Sequence, residues 1–369
     1  MTEVAAQRPG GVVPPVALMG VPFDNLTMSQ AVRAIEAMIL SGRPHWVATA
    51  NLDFLAQAAR DAALHRVLLQ ADRVLCDGMP LVWLSKLVGN PLPERVAGSD
   101  LTPLLLDLAA RRGYRVFLLG GEPESSALAE KNIMRRHPGT TICGRLSPPC
   151  APLSEMNHDR IIDTIRESRP DLLLVSFGCP KQEKWMAQYC QRLGVPVVIG
   201  VGGTIDFLSG RVRRAPVWMR RSGAEWVFRL IGDPRRLLGR YSRDLKFLMK
   251  FAFGQLWRTR LCAVFVAAPA EAPVVHSCGK TARIALLGRL DGRAARRHAA
   301  ALEQSIAIGG VNRLDLSGVR AIDSAGIGLL LRLRKRGGEN SMVLVKPSKP
   351  VRAALRQMRL EAFFKTAAA

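Results

Sequence analysis

The chain has 369 residues, of which 48% are hydrophobic, and its 53 Lys and Arg against 30 Asp and Glu give a formal net charge of +23. A chain of this length is expected to form two domains or so, and its apolar fraction provides a sizeable core, which excludes wholesale disorder. The positive charge favours an anionic partner such as phosphate, nucleic acid or acidic lipid.

The N-terminal part of the chain alternates between short apolar runs and amphipathic helical stretches. Residues 1–15, with three prolines and no periodicity, predict a loose tail. From residue 16 to residue 210 the alternation predicts a Rossmann-like α/β domain, in which helices cover both faces of a mostly parallel sheet. The expected strands are 45–49, 73–76, 114–119, 140–143, 171–177 and 195–201, and the expected helices are 29–40, 101–112, 124–136, 159–167 and 181–193.

Residues 211–266 differ in composition, and we call them the basic appendage. The window 211–260 contains fourteen Lys and Arg but only three acids, with tryptophan, phenylalanine and leucine residues interleaved. Cationic and aromatic residues at helical spacing suit a helix that lies in a membrane interface, although an amphipathic helix docked on the sheet would show the same pattern. The longest apolar run near the middle is far shorter than the roughly 20 residues that a spanning helix requires. We therefore expect a soluble or peripheral protein.

The C-terminal quarter of the chain forms a region of its own. Residues 267–280, which are rich in small residues and include two prolines, predict a linker. Residues 281–369 then show a new alternation, with expected strands at 283–287, 312–316 and 342–345 and expected helices at 294–308, 324–336 and 350–358. This separate apolar pattern predicts a small second α/β domain.

Glycines and polar residues follow the predicted strands of the first domain at their carboxyl ends, where open α/β sheets bind their ligands. A glycine lets the backbone approach a ligand closely, and a helix N-terminus offers N–H groups to a phosphate. Each glycine alone could end its strand for local reasons, but their convergence on one edge indicates a nucleotide or phosphate site. The candidates are Gly120, Gly121, Gly178, Pro180, Lys181, Gly202, Gly203 and Asp206.

Asp77 stands alone in a strand-to-helix turn beside Gly78. It could be a helix N-cap, which is a frequent position for Asp. Because an Asp carboxylate is ordinarily ionised at neutral pH, it could also be a general base that accepts a proton from a sugar hydroxyl. The pattern alone leaves both interpretations open.

Several motifs are absent from the sequence. The chain contains no Asp-x-Asp pair of the kind that commonly holds a metal on a sugar diphosphate, no Walker A sequence and no G-x-G-x-x-G after a strand. We therefore expect neither ATP hydrolysis nor dinucleotide redox chemistry, and we predict no metal and no cofactor. A departing diphosphate would then need cationic side chains, for which Arg95 and the arginines after residue 211 are candidates.

Six blocks of residues, in order along the chain, resemble the TagA/WecG/CpsF glycosyltransferases (glycosyltransferase family 26), and the resemblance covers about residues 16–245. The blocks are Thr49–Asn51, Asp77–Pro80, Glu94–Asp100, Gly178–Glu183, Gly200–Phe207 and Glu225–Arg229. The resemblance implies a metal-independent, inverting enzyme that moves a sugar from a UDP-sugar, of the N-acetylmannosamine type or a related hexose. The implied acceptor is a polyprenyl-pyrophosphate-linked glycan in exopolysaccharide or cell-surface glycan synthesis.

The same resemblance implies roles for individual residues. The catalytic base of the family falls on Asp77, and its acceptor and sugar contacts fall on Thr49, Asn51, Arg95 and Gln182. A C-terminal appendage closes over the site in the family and contacts the membrane. Its diphosphate-binding arginines fall on Arg229, Arg236 and, with a looser match in spacing, Arg240.

The second domain resembles a STAS domain of the anti-sigma-factor-antagonist type, through the blocks Arg313–Val319 and Ile322–Gly326. The resemblance places a phosphorylation site at Ser324, at the start of a helix and directly after Asp323. The alternative is that these two residues only cap the helix. A phosphate on Ser324 would meet helix N–H dipoles but would also place charge beside Asp323. A kinase or an anti-sigma-like protein is the partner that this domain implies.

The location and the remaining partners follow from these interpretations. Scattered cysteines without a C-x-x-C pair and the lack of a visible secretory signal fit the cytosol, so we expect a cytoplasmic protein that is peripheral at the inner face of the cell membrane. The basic segment lacks any nucleic-acid recognition motif, so we predict no nucleic acid as partner. A homo-oligomer is left open. The alternative function is a STAS-type regulatory or scaffold protein whose sugar-nucleotide domain is catalytically degenerate.

Overall fold

The structure, a computed structural model, describes residues 13–265, 272–278, 281–338 and 341–367 of the chain. Most of the tail predicted at residues 1–15 therefore lies outside the described residues. The described strands, in chain order, are β1 Val16–Leu18, β2 Val21–Phe23, β3 His45–Ala50, β4 Arg73–Cys76, β5 Arg115–Gly120, β6 Thr141–Leu146, β7 Leu172–Ser176, β8 Val197–Gly200, β9 Val274–Cys278, β10 Thr281–Ala285, β11 Gly288–Leu290, β12 Val311–Asp315, β13 Val319–Ile322, β14 Met342–Val345 and β15 Lys365–Ala367.

Helices alternate with these strands. They are α1 Met28–Leu40, α2 Leu52–Ala58, α3 Ala62–Gln70, α4 Met79–Leu87, α5 Gly98–Arg112, α6 Pro123–Arg136, α7 His158–Ser168, α8 Lys181–Leu193, α9 Thr204–Ser209, α10 Val217–Ser222, α11 Glu225–Gly232, α12 Pro234–Phe265, α13 Gly292–Ser305, α14 Ser324–Gly337 and α15 Lys349–Gln357, with short 3₁₀ turns at Leu153–Glu155 and Glu361–Phe363.

The described chain divides into two compact units. The larger unit comprises residues 26–83 and 93–249, and the smaller unit comprises residues 13–25, residues 84–92 and the described residues from 250 onward. The domain boundaries predicted at residues 210 and 280 stay predictions.

A six-stranded sheet in the order β4-β3-β8-β7-β5-β6 forms the centre of the larger unit, and every neighbouring pair in it is parallel. Its central strands are largely apolar, because a parallel sheet with helices on its faces is buried on both sides. Val47, Leu118, Leu174 and Ile199 are each at most 1% exposed. This sheet confirms the predicted α/β class, and β4 has the bounds that the sequence predicts.

Three short helices between β3 and α5 were not predicted from the sequence. Helices α2 and α3 begin at the N-caps Asn51 and Asp61, whose carboxamide and carboxylate oxygens accept backbone N–H groups. Helix α4 contains six apolar residues among nine, so its sequence shows little amphipathic periodicity. Helix α2 starts directly after β3, and α4 starts shortly after β4. Both helices therefore begin at the carboxyl edge of the sheet, where a ligand is expected to bind.

The basic appendage is helical, as predicted, and contains α10, α11 and α12. Helix α12 is 32 residues long. None of the helices in the described ranges is both long enough and apolar enough to cross a membrane.

The smaller unit contains a five-stranded sheet in the order β15-β14-β12-β10-β9, in which only β9 is antiparallel to its neighbour. Strand β9 corrects the prediction that residues 267–280 are a linker throughout, because Val274 and Val275 are β-branched residues that start a strand paired with β10. Strands β11 and β13 form a parallel pair, and β1 and β2 form an antiparallel hairpin.

The hairpin packs on α14 within the smaller unit. A Cβ on Gly328 of α14 would stand 1.9 Å from the backbone oxygen of Pro15, so this close approach requires glycine. Pro14 and Pro15 are buried. The predicted loose tail therefore does not extend to residue 15, because these two prolines are buried within the smaller unit.

Candidate active site

Asp77 follows β4 directly, at the carboxyl edge of the large sheet, and is partly exposed. Its backbone N–H donates to the oxygen of Ala50 at 2.9 Å, which fixes the turn to the end of β3. Its carboxylate accepts the N–H of Gly98, the first residue of α5, and so satisfies one of the donors that a helix N-terminus leaves without a partner. Asp77 is thus held by two neighbouring elements.

The pKa of Asp77 is raised to about 6, mainly by burial of the carboxyl group; the charges of Arg95 and Arg229 oppose this rise, and the charge of Glu225 contributes to it. A pKa near 6 leaves most of the Asp77 carboxylates ionised at neutral pH and still basic enough to take a proton. This side chain therefore has the protonation behaviour of a general base.

Thr49 and Asn51 flank the end of β3. The Thr49 hydroxyl is buried and donates to the backbone oxygen of Gly200 at 2.8 Å, which joins β3 to the end of β8. The Asn51 Oδ1 accepts the N–H groups of Asp53 and Phe54, at 3.0 and 3.3 Å, as the N-cap of α2. Both predicted residues lie at the same edge as Asp77, and their described bonds shape that edge.

Gln182 is 1% exposed and ties two glycine turns together. Its Oε1 accepts the N–H groups of Gly178 and Gly202, both at 3.2 Å, and its Nε2 donates to Glu183 Oε1 at 2.7 Å. Glu183 is fully buried, and burial raises its pKa to about 7. Gln182 therefore holds the ends of β7 and β8 in place, through its bonds to the backbone.

The glycines predicted for nucleotide binding lie at the ends of β5, β7 and β8. Gly120 has φ +99°, and a Cβ there would stand 2.5 Å from the backbone oxygen of Ser176, so only glycine fits. Among the described residues, nothing other than the adjacent residues of the chain lies within 4 Å of the Cβ position at Gly178, Gly202 or Gly203, so these turns border open space. Gly121, in contrast, packs against Ile205, whose Cγ2 is 3.1 Å from its Cβ position.

The remaining predicted nucleotide-binding residues start two helices. Pro180 follows a cis peptide bond and immediately precedes α8, which begins at Lys181. The Lys181 ammonium donates to the backbone oxygen of Ala151 and lies 5.2 Å from the centre of the Phe177 ring. Asp206 is in the first turn of α9.

Four arginines and two carboxylates of the larger unit form one network of ion pairs. Asp100 accepts hydrogen bonds from Arg95, Arg214 and Arg220, and Glu225 accepts them from Arg95 and Arg229. We call Arg95, Arg214, Arg220 and Arg229 the arginine cluster. Its members come from α10, α11 and two loops, and two of them, Arg214 and Arg229, lie 5.7 and 5.2 Å from the centre of the Phe207 ring.

The structure connects the predicted diphosphate-binding arginines to the site unequally. Arg229 joins the arginine cluster and influences the pKa of Asp77. Arg240 lies over the Tyr241 ring, 5.3 Å from its centre, and its charge lowers the raised pKa of the buried Asp244. Arg236 is in α12, but its side chain lies outside the described residues.

Asp100 and Glu225 were not predicted as site residues, although both lie in blocks that carry the family resemblance, and Arg214 and Arg220 were predicted only as members of the group of arginines after residue 211. The signal in the sequence was the scarcity of acids among the many arginines of the appendage, where Glu225 is one of three.

Across the described ranges, no group of three His, Cys, Asp or Glu side chains could hold a metal ion.

Ser324 begins α14 in the smaller unit and is 2% exposed. Gln255 of α12 donates to its Oγ at 2.8 Å and to the backbone oxygen of Ala17 at 3.2 Å. Asp323 caps α14 by accepting the N–H groups of Ala325 and Gly326, both at 2.9 Å, and also accepts a bond from Asn90. The capping role predicted as an alternative for this pair is thus seen for Asp323.

Comparison with known proteins gives two matching family models. The model of the "Glycosyl transferase WecG/TagA/CpsF family" matches residues 16–261, and that of the "Mlab, STAS domain" matches residues 275–365. The C-terminal region is therefore a STAS-like α/β domain, as predicted.

Two curated relatives are named N-acetylglucosaminyldiphosphoundecaprenol N-acetyl-beta-D-mannosaminyltransferase. The protein from Bacillus spizizenii is 35% identical over 215 residues, which cover 58% of this chain and 82% of the relative. The protein from Staphylococcus aureus (strain MW2) is 28% identical over 239 residues, which cover 64% of this chain and 92% of the relative.

Solved structures of SpoIIAA are also similar to part of the chain. The phosphorylated form of this Bacillus cell fate determinant is 22% identical, with a TM-score of 0.23, and the match covers 26% of this chain and 92% of SpoIIAA. The unphosphorylated anti-sigma factor antagonist is 25% identical with the same TM-score, covering 26% of this chain and 89% of that structure.

Proposed function

This chain belongs to the WecG/TagA/CpsF family of glycosyltransferases, and we propose that it moves a sugar from a UDP-sugar to a polyprenyl-pyrophosphate-linked glycan. The sugar is of the N-acetylmannosamine type or a related hexose, and the product serves exopolysaccharide or cell-surface glycan synthesis. The names of the two relatives support the sugar type and the diphosphoundecaprenol-linked acceptor. The observation that carries the proposal is Asp77, a carboxylate at the edge of the sheet. Its pKa is raised, and the charges of Arg95 and Arg229 act on it.

In the proposed reaction, Asp77 takes the proton of the acceptor hydroxyl. The hydroxyl oxygen attacks the anomeric carbon of the donor, a new glycosidic C–O bond forms, and the bond between that carbon and the UDP oxygen breaks. A single displacement of this kind inverts the anomeric centre. UDP leaves with an additional negative charge, which the guanidinium groups of Arg95 and Arg229 stabilise. The reaction as proposed requires no metal.

Thr49, Asn51 and Gln182 complete the proposed site. Since the described bonds of Thr49 and Gln182 run to backbone atoms of the glycine turns, we assign them the task of holding these turns against the sugar. The N-cap bonds of Asn51 engage its oxygen and leave its amide for a substrate hydroxyl. Gly178, Gly202 and Gly203 provide the open backbone on which the nucleotide would lie.

We also propose that the basic appendage binds the inner surface of the cell membrane. Large apolar side chains on its helices are exposed, including Trp218 at 67%, Ile231 at 75% and Met249 at 65%. They alternate with the arginines and lysines that give this segment its charge. A helix with exposed apolar and cationic residues lies favourably in an anionic interface, and a lipid-linked acceptor would be found there.

Regulation through the STAS-like domain is the remaining part of the proposal. Ser324 and Lys349 line the same cavity of about 320 Å³ in the smaller unit. A phosphate on Ser324 would displace the Gln255 amide and add about two negative charges beside Asp323. We propose that a kinase phosphorylates Ser324 when α14 is exposed, and that an anti-sigma-like partner recognises the phosphorylated state.

The decisive experiment incubates the purified full chain with a panel of UDP-sugars and a short-chain lipid-pyrophosphate-linked N-acetylglucosamine, and measures the UDP released. We expect release with UDP-N-acetylmannosamine or a related UDP-hexose that depends on the acceptor. UDP binding without release across the panel would overturn the enzyme proposal and favour the degenerate-domain alternative.

A further inference from the structure

The Ser324 hydroxyl of α14 is covered by Gln255, a residue of α12 that is 5% exposed. The Gln255 Nε2 donates to the Ser324 Oγ at 2.8 Å and to the backbone oxygen of Ala17 at 3.2 Å. Its Oε1 accepts the backbone N–H of Met19 at 3.5 Å. Both ends of one buried carboxamide are therefore engaged, and they join α14 to α12 and to the β1-β2 hairpin.

The neighbouring Asp323 is contacted in the same way by Asn90, which is 4% exposed. The Asn90 Nδ2 and the backbone N–H of Gly292 both donate to Asp323 Oδ2 at 2.9 Å. A Cβ on Gly292 would stand 2.3 Å from the Asn90 Oδ1, so a side chain there would push Asn90 away. Two carboxamides from separate segments thus meet the Asp323–Ser324 pair. We call these segments, residues 84–92 and 250–255, the docking segments.

The contact of α12 extends beyond Gln255. The Arg359 guanidinium, shortly after α15, lies 5.7 Å from the centre of the Phe251 ring. A Cβ on Gly254 would stand 3.1 Å from the Nε2 of Gln357, the last residue of α15, so the two helices approach closely there. Helix α12 therefore packs along the α15 side of the Ser324 surface as well as on Ser324 itself.

The docking segments are distant in sequence from the pair that they cover. Both segments lie within residues 16–261, which match the glycosyltransferase family, whereas the Asp323–Ser324 pair lies within the STAS-like residues 275–365. All of these residues belong to the smaller unit. The surface of the STAS-like domain that carries Ser324 is therefore occupied by another part of the same chain.

This occupation is incompatible with a phosphate on Ser324, which is 2% exposed. The phosphate would need the space from which Gln255 donates, and it would add about two negative charges beside the Asp323 carboxylate. The cavity that Ser324 lines offers the cation of Lys349, but its other walls are largely apolar. Burying these charges without sufficient partners costs more free energy than the bond from Gln255 contributes.

We propose that the Asp323–Ser324 surface has the docking segments of its own chain as its partner, and that their docking and the phosphorylation of Ser324 exclude each other. This inference rests on the proposed regulation through Ser324 and names the partner in it. In the docked state the surface is closed to a kinase and to a second protein. In the undocked state residues 84–92, which lead directly into Pro93 and the Glu94–Asp100 block, lose their support.

The test measures hydrogen–deuterium exchange of the full chain by mass spectrometry. Ser324→Glu places a charge beside Asp323, and we expect the amides of both docking segments to exchange about tenfold faster than in the wild type, because segments that lose their packing open more often. Ser324→Ala removes the hydroxyl without adding charge and should accelerate this exchange by less than about threefold. The strands of the six-stranded sheet should stay equally protected in every variant.

A second variant, Gln255→Glu, leaves Asp323 and Ser324 in place and tests the inference even if Ser324→Glu fails to fold. It replaces the donor of α12 by a carboxylate and should accelerate the same exchange about tenfold. The matched control Gln304→Glu makes the same change at an exposed position of α13 and should leave the exchange unchanged.

Unchanged exchange of the docking segments in Ser324→Glu or Gln255→Glu would overturn the inference, and so would an equal acceleration in the six-stranded sheet. Hydrogen exchange requires no sugar donor, so its outcome is independent of the transferase reaction. Faster exchange in the variants of a protein that releases no UDP would support the inference and refute the proposed enzyme instead.

Discussion

Replacing the proposed base provides the most informative perturbation of this protein. Asn is nearly isosteric with Asp, and its side-chain oxygen can still accept the Gly98 N–H that positions Asp77. Asp77→Asn should therefore fold normally but lack the group that takes the acceptor proton. Loss of a general base typically reduces turnover by about 10²–10⁴, which corresponds to about 2.7–5.4 kcal/mol of transition-state stabilisation.

The assay compares kcat for UDP release with UDP affinity from calorimetry. Asp77→Asn should lose turnover by that factor and bind UDP nearly as tightly as the wild type, because Asp77 has no proposed contact with the nucleotide. Asp159→Asn, which changes the same functional group at an exposed site, should behave like the wild type in both measurements. Turnover within threefold of the wild type would refute the assignment of Asp77 as base.

Three further predictions concern pH, the membrane and the smaller unit. Because Asp77 must be deprotonated to act and its pKa is raised to about 6, kcat/KM of the wild type should fall as the pH drops through 6. Glu225→Gln removes a charge that raises the pKa of Asp77, so the fall of kcat/KM at low pH should occur at a lower pH in this variant than in the wild type. A fall at the same or a higher pH would contradict the electrostatic account. Replacing Trp218, Ile231 and Met249 together by Ser should abolish co-sedimentation with anionic liposomes while leaving UDP binding intact, and unchanged co-sedimentation would refute the membrane proposal. Asn90→Ala removes a buried donor to Asp323 and should lower the free energy of unfolding by about 1–3 kcal/mol in urea titrations, whereas an unchanged midpoint would show that the bond contributes nothing.

Much of the fold was predictable, because buried parallel strands and amphipathic helices have strong periodic patterns. Helix α8 and strand β14 have the bounds that the sequence predicts, Lys181–Leu193 and Met342–Val345. The hairpin strands β1 and β2 contain three residues each, too few to show a period, and β9 follows a run of small residues that is typical of a linker.

The site was predictable where it follows the sheet edge and unpredictable where it depends on distant pairs. Asp77 and Asn51 each come directly after a strand, so topology alone brings them to one edge. The bond between Asp100 and Arg214 joins residues 114 positions apart, and that between Arg95 and Glu225 joins residues 130 positions apart. Such pairs depend on tertiary packing, which local patterns do not encode.

The stereochemistry of the product tests the central claim most directly. Wild-type protein would convert the UDP-sugar that supports release, in the presence of EDTA, and NMR would establish the anomeric configuration of the purified glycolipid. We predict transfer without metal and a configuration opposite to that of the donor, as a single displacement assisted by Asp77 requires. Retention of configuration, or transfer that stops on chelation, would contradict the account.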